Sequence, residues 1–439
     1  MEDVHGLKAT SETFRRTIFR IGMFSESFHP VQNGVTTSVL TLIAGLRSEG
    51  HRVCTFAPAH VRQPESESNV LRFPSFVSAF NKDYPLAFPF YPRLALETHI
   101  DRLRLDVIHT HTPFVMGLTG AKLAMTREVP LISTFHTLYS QYTHYVPFLS
   151  DSVTQSLLEH YLPWYYNRCA EIICPSQMAA RTLRGYGIER PINIIPTGVP
   201  IPPADLLSSE NRHCARARIG VNAEAPLLVY AGRLAKEKNL DWLLDVFGLI
   251  RTSVPNAVLA LAGEGPYRDE LKLLAAPFGT NVLFLGSTPR RELDMLFAAC
   301  DVFVFPSPTE TQGLVIGEAR AAGAPCVVID MGGAPETVVE GEDGFRIPEG
   351  DKVLFATRVI QLLTDKSIAK TMRANARKNA QRFAPYKMVK SVLDIYQRTG
   401  SSGAGLPISQ VDFPPQLSED LNWETLGQAV VEKTVSSID

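Results

Sequence analysis

Short apolar runs, each followed by a stretch with helical patterning, recur along the chain, and one proline-rich segment divides them into two series. That segment is Pro196-Thr197-Gly198-Val199-Pro200-Ile201-Pro202-Pro203. A buried run closed by turn residues and followed by a helix predicts parallel strands, because parallel neighbours need a long crossover. The first series places strands at 17–24, 51–57, 70–73, 106–109, 130–135, 171–174 and 192–195. Helices fit at 35–48, 115–126, 152–169 and 177–185. The second series places strands at 227–232, 257–263, 281–286, 301–305 and 324–329. Leu240, Leu243, Leu244, Phe247 and Ile250 recur at helical spacing between the first two of these, a stripe that must be buried. The prolines deny the dividing segment regular hydrogen bonding and stiffen it. The expected fold class is therefore α/β, with two tandem doubly wound Rossmann-like domains facing a central cleft. Residues 1–16 are expected to be disordered, 17–200 and 201–385 to form the two domains, 386–398 a closing helix, and 399–439 a mobile acidic tail.

The length of 439 residues supports two cores rather than one. With 45% apolar and 20% charged residues the composition is that of a soluble globular protein. No run reaches the ~18 apolar residues that a membrane span requires, and the acidic opening Met1-Glu2-Asp3 lacks the apolar core of a secretory signal. Six scattered cysteines without a C-x-x-C pair indicate a reduced, cytoplasmic protein with no structural zinc site. The net charge is −2, yet residues 401–439 carry six acids against one lysine. The rest is mildly basic, short of a nucleic-acid-binding signature and compatible with an anionic small ligand or membrane surface.

Candidate functional residues cluster after strand ends, where ligands of such folds sit. Asn33-Gly34-Val35 opens the first helix: Gly34 permits close approach of a ligand, and the helix N-terminus offers free N–H groups to an anion. An ordinary loop glycine is the bland reading. After the first strand of the second series comes Gly232-Arg233-Leu234-Ala235-Lys236-Glu237-Lys238. Cations there oppose the dipole of the following helix, a cost that a diphosphate between Arg233 and Lys238 would offset; a solvated turn is the alternative. Gly263-Glu264-Gly265-Pro266 ends the next strand and is either a tight turn or part of the same edge. Glu310 and Glu318 flank the turn that carries Gly313. They either clamp the hydroxyls of a polyol, with backbone N–H groups beyond Gly313 assisting, or cap and solvate a helix. In the first half, Thr134-Phe135-His136-Thr137-Leu138-Tyr139-Ser140-Gln141-Tyr142 leaves a buried strand with His136 facing the expected cleft, a position suited to binding or proton transfer. His109 and His111 end another strand, and their alternation predicts that one ring turns inward.

Arg233 with Lys238, the Gly263–Pro266 turn, Glu310 and Glu318 with Gly313-Leu314 between, and Gly341-Glu342-Asp343-Gly344-Phe345 together resemble the retaining glycosyltransferases of family 4. The resemblance covers about residues 17–398 and implies the GT-B fold, with the first domain on the acceptor side, the second binding a nucleotide sugar, and the closing helix returning to the first. It implies that Arg233 and Lys238 hold the donor diphosphate, that Glu318 meets the ribose, and that Glu310 with the backbone of Gln312, Gly313 and Leu314 faces the transferred sugar. Gly34 and Gly232 would approach the donor, and His136 would lie beside sugar and acceptor. No cofactor and no catalytic metal are implied, the nucleotide sugar being a co-substrate.

His136-Thr137, Tyr139, Tyr142 and His144-Tyr145, with Glu310-Thr311-Gln312-Gly313, are further similar to diacylglycerol glucosyltransferases. That likeness implies transfer of glucose from UDP-glucose to 1,2-diacylglycerol with retention, Tyr139 and Tyr142 on the acceptor side, and a peripheral position on the inner face of the cell membrane. Tyr84, Phe88, Phe90, Tyr91, Arg93, Arg102 and Arg104 suit an interfacial patch; packing of those aromatics on the core is the alternative. Rival functions are a family member with a soluble sugar or polyol acceptor, and a sugar-nucleotide epimerase on the same fold.

Overall fold

The computed structural model describes residues 18–64, 67–77, 85–87, 98, 100–139 and 151–401. Tyr142 and most of the expected interfacial patch fall outside them; its described members, Arg102 and Arg104, are exposed.

Seven strands form the first sheet: β1 (Arg20–Phe24), β2 (Arg52–Pro58), β3 (Val70–Phe73), β6 (Val107–Thr110), β7 (Leu131–Thr134), β8 (Glu171–Cys174) and β9 (Ile192–Ile194). They lie in the order β3-β2-β1-β6-β7-β8-β9, and every described pairing is parallel. Two short strands, β4 (Ser75–Val77) and β5 (Pro85–Ala87), pair antiparallel beside it and have no counterpart in the sequence reading. The second sheet contains β10 (Leu227–Ala231), β11 (Val258–Ala262), β12 (Val282–Gly286), β13 (Val302–Phe305), β14 (Cys326–Ile329) and β15 (Gly344–Ile347), ordered β12-β11-β10-β13-β14-β15. Its sixth strand was not anticipated, and β15 pairs with β14 from Cys326↔Gly344 to Ile329↔Ile347. In both sheets the order reverses beside the first strand, the switch point at which such folds open a crevice.

Strand sequences such as Leu227-Leu228-Val229-Tyr230-Ala231 are buried throughout, as a parallel strand covered on both faces requires. The stripe from Leu240 to Ile250 packs on the second core as its spacing predicts. The closing helix spans Pro385–Ser401, so residues 399–401 belong to it rather than to the tail. It does return: Met388, Val389, Val392, Ile395 and Tyr396 join Ile21, Met23, Val39, Leu42 and Ile43 in one core cluster of the first domain.

The proline-rich connection is held in place as well as stiff. Gln312 Oε1 accepts from Thr197 N at 2.9 Å while Gln312 Nε2 donates to Thr197 O at 3.2 Å. Ser38 Oγ lies 2.9 Å from Thr197 Oγ1, and Val199 N donates to Phe383 O at 2.7 Å. A buried amide satisfied on both atoms is a rigid clamp, so the connection is pinned by both domains at once.

Candidate active site

The loops after β10, β11, β13 and β14 meet at one edge of the second sheet. Two glycines make this possible. A methyl group at Gly263 would sit 1.9 Å from Gly232 O, and one at Gly265 would sit 2.2 Å from Leu234 O. The Gly-x-Gly-Pro turn thus lets two loop backbones cross, a structural role, and Leu234 N donates to Glu264 O at 2.9 Å in the crossing.

Lys238 and Glu310, 72 positions apart, form an ion pair of 2.6 Å between Nζ and Oε1, with side chains 12% and 22% exposed. Ser307 Oγ donates to the same carboxylate oxygen at 3.4 Å. Glu310 therefore caps no helix. Gly313 occupies the N-cap of the Leu314–Ala321 helix, without a side-chain cap, at a φ of +74° that suits glycine. Arg233, at the start of the same β10 loop, is exposed, with its carbonyl accepting from the buried Tyr230 hydroxyl at 3.1 Å.

Glu318 is not a solvated helix residue either, being 8% exposed. Burial pushes its carboxyl above the usual range, and the opposing pull comes from Arg290. Arg290 makes an ion pair with Glu318 and contacts Asp294 at 3.0 Å. Sequence reasoning missed Arg290, although its position was suggestive: it opens the helix that follows β12 on the same edge.

The first domain supplies a row of rings. His109 and His111 are both buried and stack at 4.4 Å, and His111 faces His136 at 5.2 Å. The expectation that one of the first two rings turns inward is corrected: residues two apart on a strand share a face, and both rings are buried. His109 is held between Tyr396 Oη at 2.6 Å and Thr134 Oγ1 at 2.7 Å. Burial lowers the pKa of His136 to about 4 and that of His109 to about 3, because an imidazolium is poorly solvated there. Tyr139 packs edge-on against Phe114 and Phe135, with its hydroxyl buried.

Several contacts join the domains across the crevice. Thr311 Oγ1 donates to His136 O at 2.8 Å. A methyl group at Gly34 would lie 3.7 Å from Leu314 Cδ1, an ordinary contact, so the first helix opens directly beside the Gly313-Leu314 turn. Glu336 accepts from Gln177 N at 2.7 Å and Met178 N at 2.8 Å, capping a first-domain helix with a second-domain carboxylate. Of the predicted site residues, the structure brings Lys238 onto Glu310, sets Glu318 beside Arg290, and ties His136 to the Glu310 loop. The Gln312 side chain is committed to Thr197, so only its backbone remains for a ligand. Among the described residues, no helix is long and apolar enough to cross a membrane.

Residues 212–382 match the model for glycosyl transferases group 1, and residues 32–201 match that for Glycosyltransferase Family 4. An alpha-monoglucosyldiacylglycerol synthase of Streptococcus pneumoniae is 30% identical over 313 residues, covering 70% of this chain and 70% of its own. A second protein of that name, from Acholeplasma laidlawii, is 29% identical over 388 residues, covering 86% of this chain and 96% of its own. The structure of Anabaena HepE in complex with UDP-glucose superposes with a TM-score of 0.67 at 20% identity, covering 86% of this chain and 99% of the other. Two parallel-sheet domains meeting at a crevice, with family models matching on either side of the pinned connection, place the chain among the hexosyltransferases of glycosyltransferase family 4, with the GT-B fold.

Proposed function

We propose that the protein transfers a hexosyl group, glucose, from a UDP-sugar to the 3-hydroxyl of a 1,2-diacylglycerol with retention of the α-configuration. The observation that carries the donor assignment is the grouping of Arg233, Lys238 and Glu310 at the β10–β13 edge, with Glu318 one helical turn beyond. Cations beside a carboxylate suit a ligand that carries a diphosphate next to a polyol. Arg233 and Lys238 take the diphosphate, Glu310 the sugar hydroxyls and Glu318 the ribose. Donor binding then exchanges the Lys238–Glu310 and Arg290–Glu318 pairs for ligand contacts. Gly34, where the protein alone leaves room for a methyl group, gives the donor phosphate access to the helix N-terminus.

In the reaction the bond from the anomeric carbon to the diphosphate breaks, and the electron pair leaves with the phosphate. The acceptor oxygen bonds to the anomeric carbon on the face just vacated, and its proton passes to the departing phosphate oxygen. The two cations stabilise the growing negative charge, a preorganised electrostatic contribution that requires no metal. The two synthases named above support the lipid acceptor, and with such an acceptor the enzyme would work at the cytoplasmic membrane surface.

A matrix of UDP-sugars against acceptors, with product analysis by NMR, tests the reading. UDP-glucose and dioleoylglycerol in anionic vesicles are expected to yield an α-glucosyl product. Transfer only to soluble sugars or polyols would overturn the lipid assignment, and a β-linked product would overturn retention. Donor isomerisation without an acceptor would point to an epimerase.

A further inference from the structure

The hydrogen bonds of the histidine row determine where its protons lie. His136 Nε2 lies 2.9 Å from His111 Nδ1, and His111 Nε2 lies 2.7 Å from Met23 Sδ. A thioether sulfur accepts weakly and has no proton to give. Two lone pairs facing each other at that separation would repel, so His111 Nε2 carries hydrogen. Burial holds both imidazoles neutral at pH 7, with His111 pushed well below its ordinary value and His136 to about 4. A neutral ring protonated at Nε2 has a lone pair at Nδ1. His111 Nδ1 must therefore accept, and His136 Nε2 must donate. The one proton of His136 is then placed, leaving its Nδ1 as a lone pair. Among the described residues no hydrogen bond engages that nitrogen.

We propose that Met23 and His111 are positioning residues that lock His136 in the Nε2–H tautomer, so that His136 Nδ1 accepts a hydrogen bond from a hydroxyl group of a substrate in the cleft. The substrate part rests on the glycosyltransferase reading, whereas the tautomer part does not. The arrangement selects for a group that brings its own proton. A carboxylate or a carbonyl oxygen at that place would face the lone pair and be repelled, whereas a freely tautomerising histidine would accept either kind. Thr311, whose hydroxyl holds His136 O, fixes the ring relative to the loop that carries Glu310.

The test is a long-range 1H–15N correlation spectrum of the substrate-free, 15N-histidine-labelled full chain at pH 7, with ring signals assigned from His111→Asn and His136→Gln. The expected result is an unprotonated Nδ1 and a protonated Nε2 for both rings, with both tautomers populated in Met23→Leu, which keeps the volume and removes the acceptor. A His136 protonated at Nδ1, or a Met23→Leu spectrum unchanged from wild type, would overturn the proposal. Because no substrate is present, neither result bears on the transferase assignment. Turnover supplies the second arm. His111→Ala should lose about tenfold in kcat with the donor KM little changed, as for one misdirected hydrogen bond. His111→Asn, whose amide oxygen replaces Nδ1 as acceptor, should recover most of that loss. Equal impairment of the two variants would overturn the relay.

Discussion

The two domains share one architecture and handle charge in opposite ways. At the crevice edge of the first, three imidazoles are buried, neutral and bonded to a phenol, a hydroxyl and a thioether. At the matching edge of the second, the half-buried Glu310 and the buried Glu318 pair with Lys238 and Arg290. The difference follows from pairing. His109 and His111 are 0% and 1% exposed, and an unpaired charge at such depth is prohibitive. On the second edge each carboxylate has a cation beside it, and Arg290, 40% exposed, keeps its pair within reach of a ligand's charges. In the proposed reaction, charge that develops in the transition state is met on the second side, and hydroxyl groups are oriented on the first.

The largest expected effect would break this division outright. Arg233→Ala or Lys238→Ala should cost about 2–4 kcal/mol of transition-state stabilisation, roughly 30- to 1,000-fold in kcat/KM. Steady-state assays with the UDP-sugar measure it, and wild-type rates in both variants would mean that the charged edge is not where the leaving group departs. Next, Glu318→Gln keeps the side-chain shape and removes one charged acceptor. UDP should bind about tenfold more weakly, roughly 1.4 kcal/mol, and titration calorimetry would show an unchanged affinity if Glu318 served only Arg290.

The neutral edge has its own signature in stability. A histidine whose folded pKa lies below its unfolded value of 6.5 takes up its proton later in the folded state, so the unfolded chain binds more protons between the two values. With His109 near 3 and His136 near 4, stability should fall progressively as pH drops below about 6.5. Glu26, pushed up to about 7 by burial, acts in the other direction: it binds a proton earlier in the folded state and offsets part of the loss. Since His111 shifts with the other two histidines, the balance is a lower Tm at pH 5 than at pH 7. An equal or higher Tm at pH 5 would show that the row is not held neutral. The smallest effect concerns the contact between the domains. Glu336→Ala should cost about 0.5–1 kcal/mol as a lost charge-assisted helix cap and shift small-angle scattering toward a more open shape. An unchanged scattering profile would mean that the pinned connection alone sets the closure.

Much of the scaffold was legible in the sequence because fully buried strands announce themselves. Leu227–Ala231 and Val302–Phe305 are unbroken apolar runs between turn residues, and the Gln177–Gly185 helix follows Ser176, whose side chain accepts from Ala179 N. β15 escaped because Gly344-Phe345-Arg346-Ile347 mixes a glycine and an exposed arginine into four residues. At the site, residue types and strand-end positions could be read, but pairings could not. The bond between Lys238 and Glu310 depends on how far two loops lean toward each other, which no local pattern encodes. Gln312 illustrates the limit from the other side. A polar residue after a strand looks the same whether it meets a sugar or, as here, the backbone of Thr197. Met23 gave no signal at all, since its sulfur sits in a strand that reads as ordinary core.

The helix that ends the described chain has a consequence for how the protein is made. Its residues Met388 to Tyr396 belong to a core whose other members, such as Ile21, Met23 and Leu42, leave the ribosome hundreds of residues earlier. Domains generally fold as units, the N-terminal one first during synthesis, but here that domain emerges with one apolar face uncovered. It waits for nearly the whole chain before its core closes, so a nascent chain halted after residue 384 should be sensitive to protease in its first half and become resistant once 385–401 are added; equal resistance of the two would refute this order of assembly. A helix translated late is thus a checkpoint for the domain translated first.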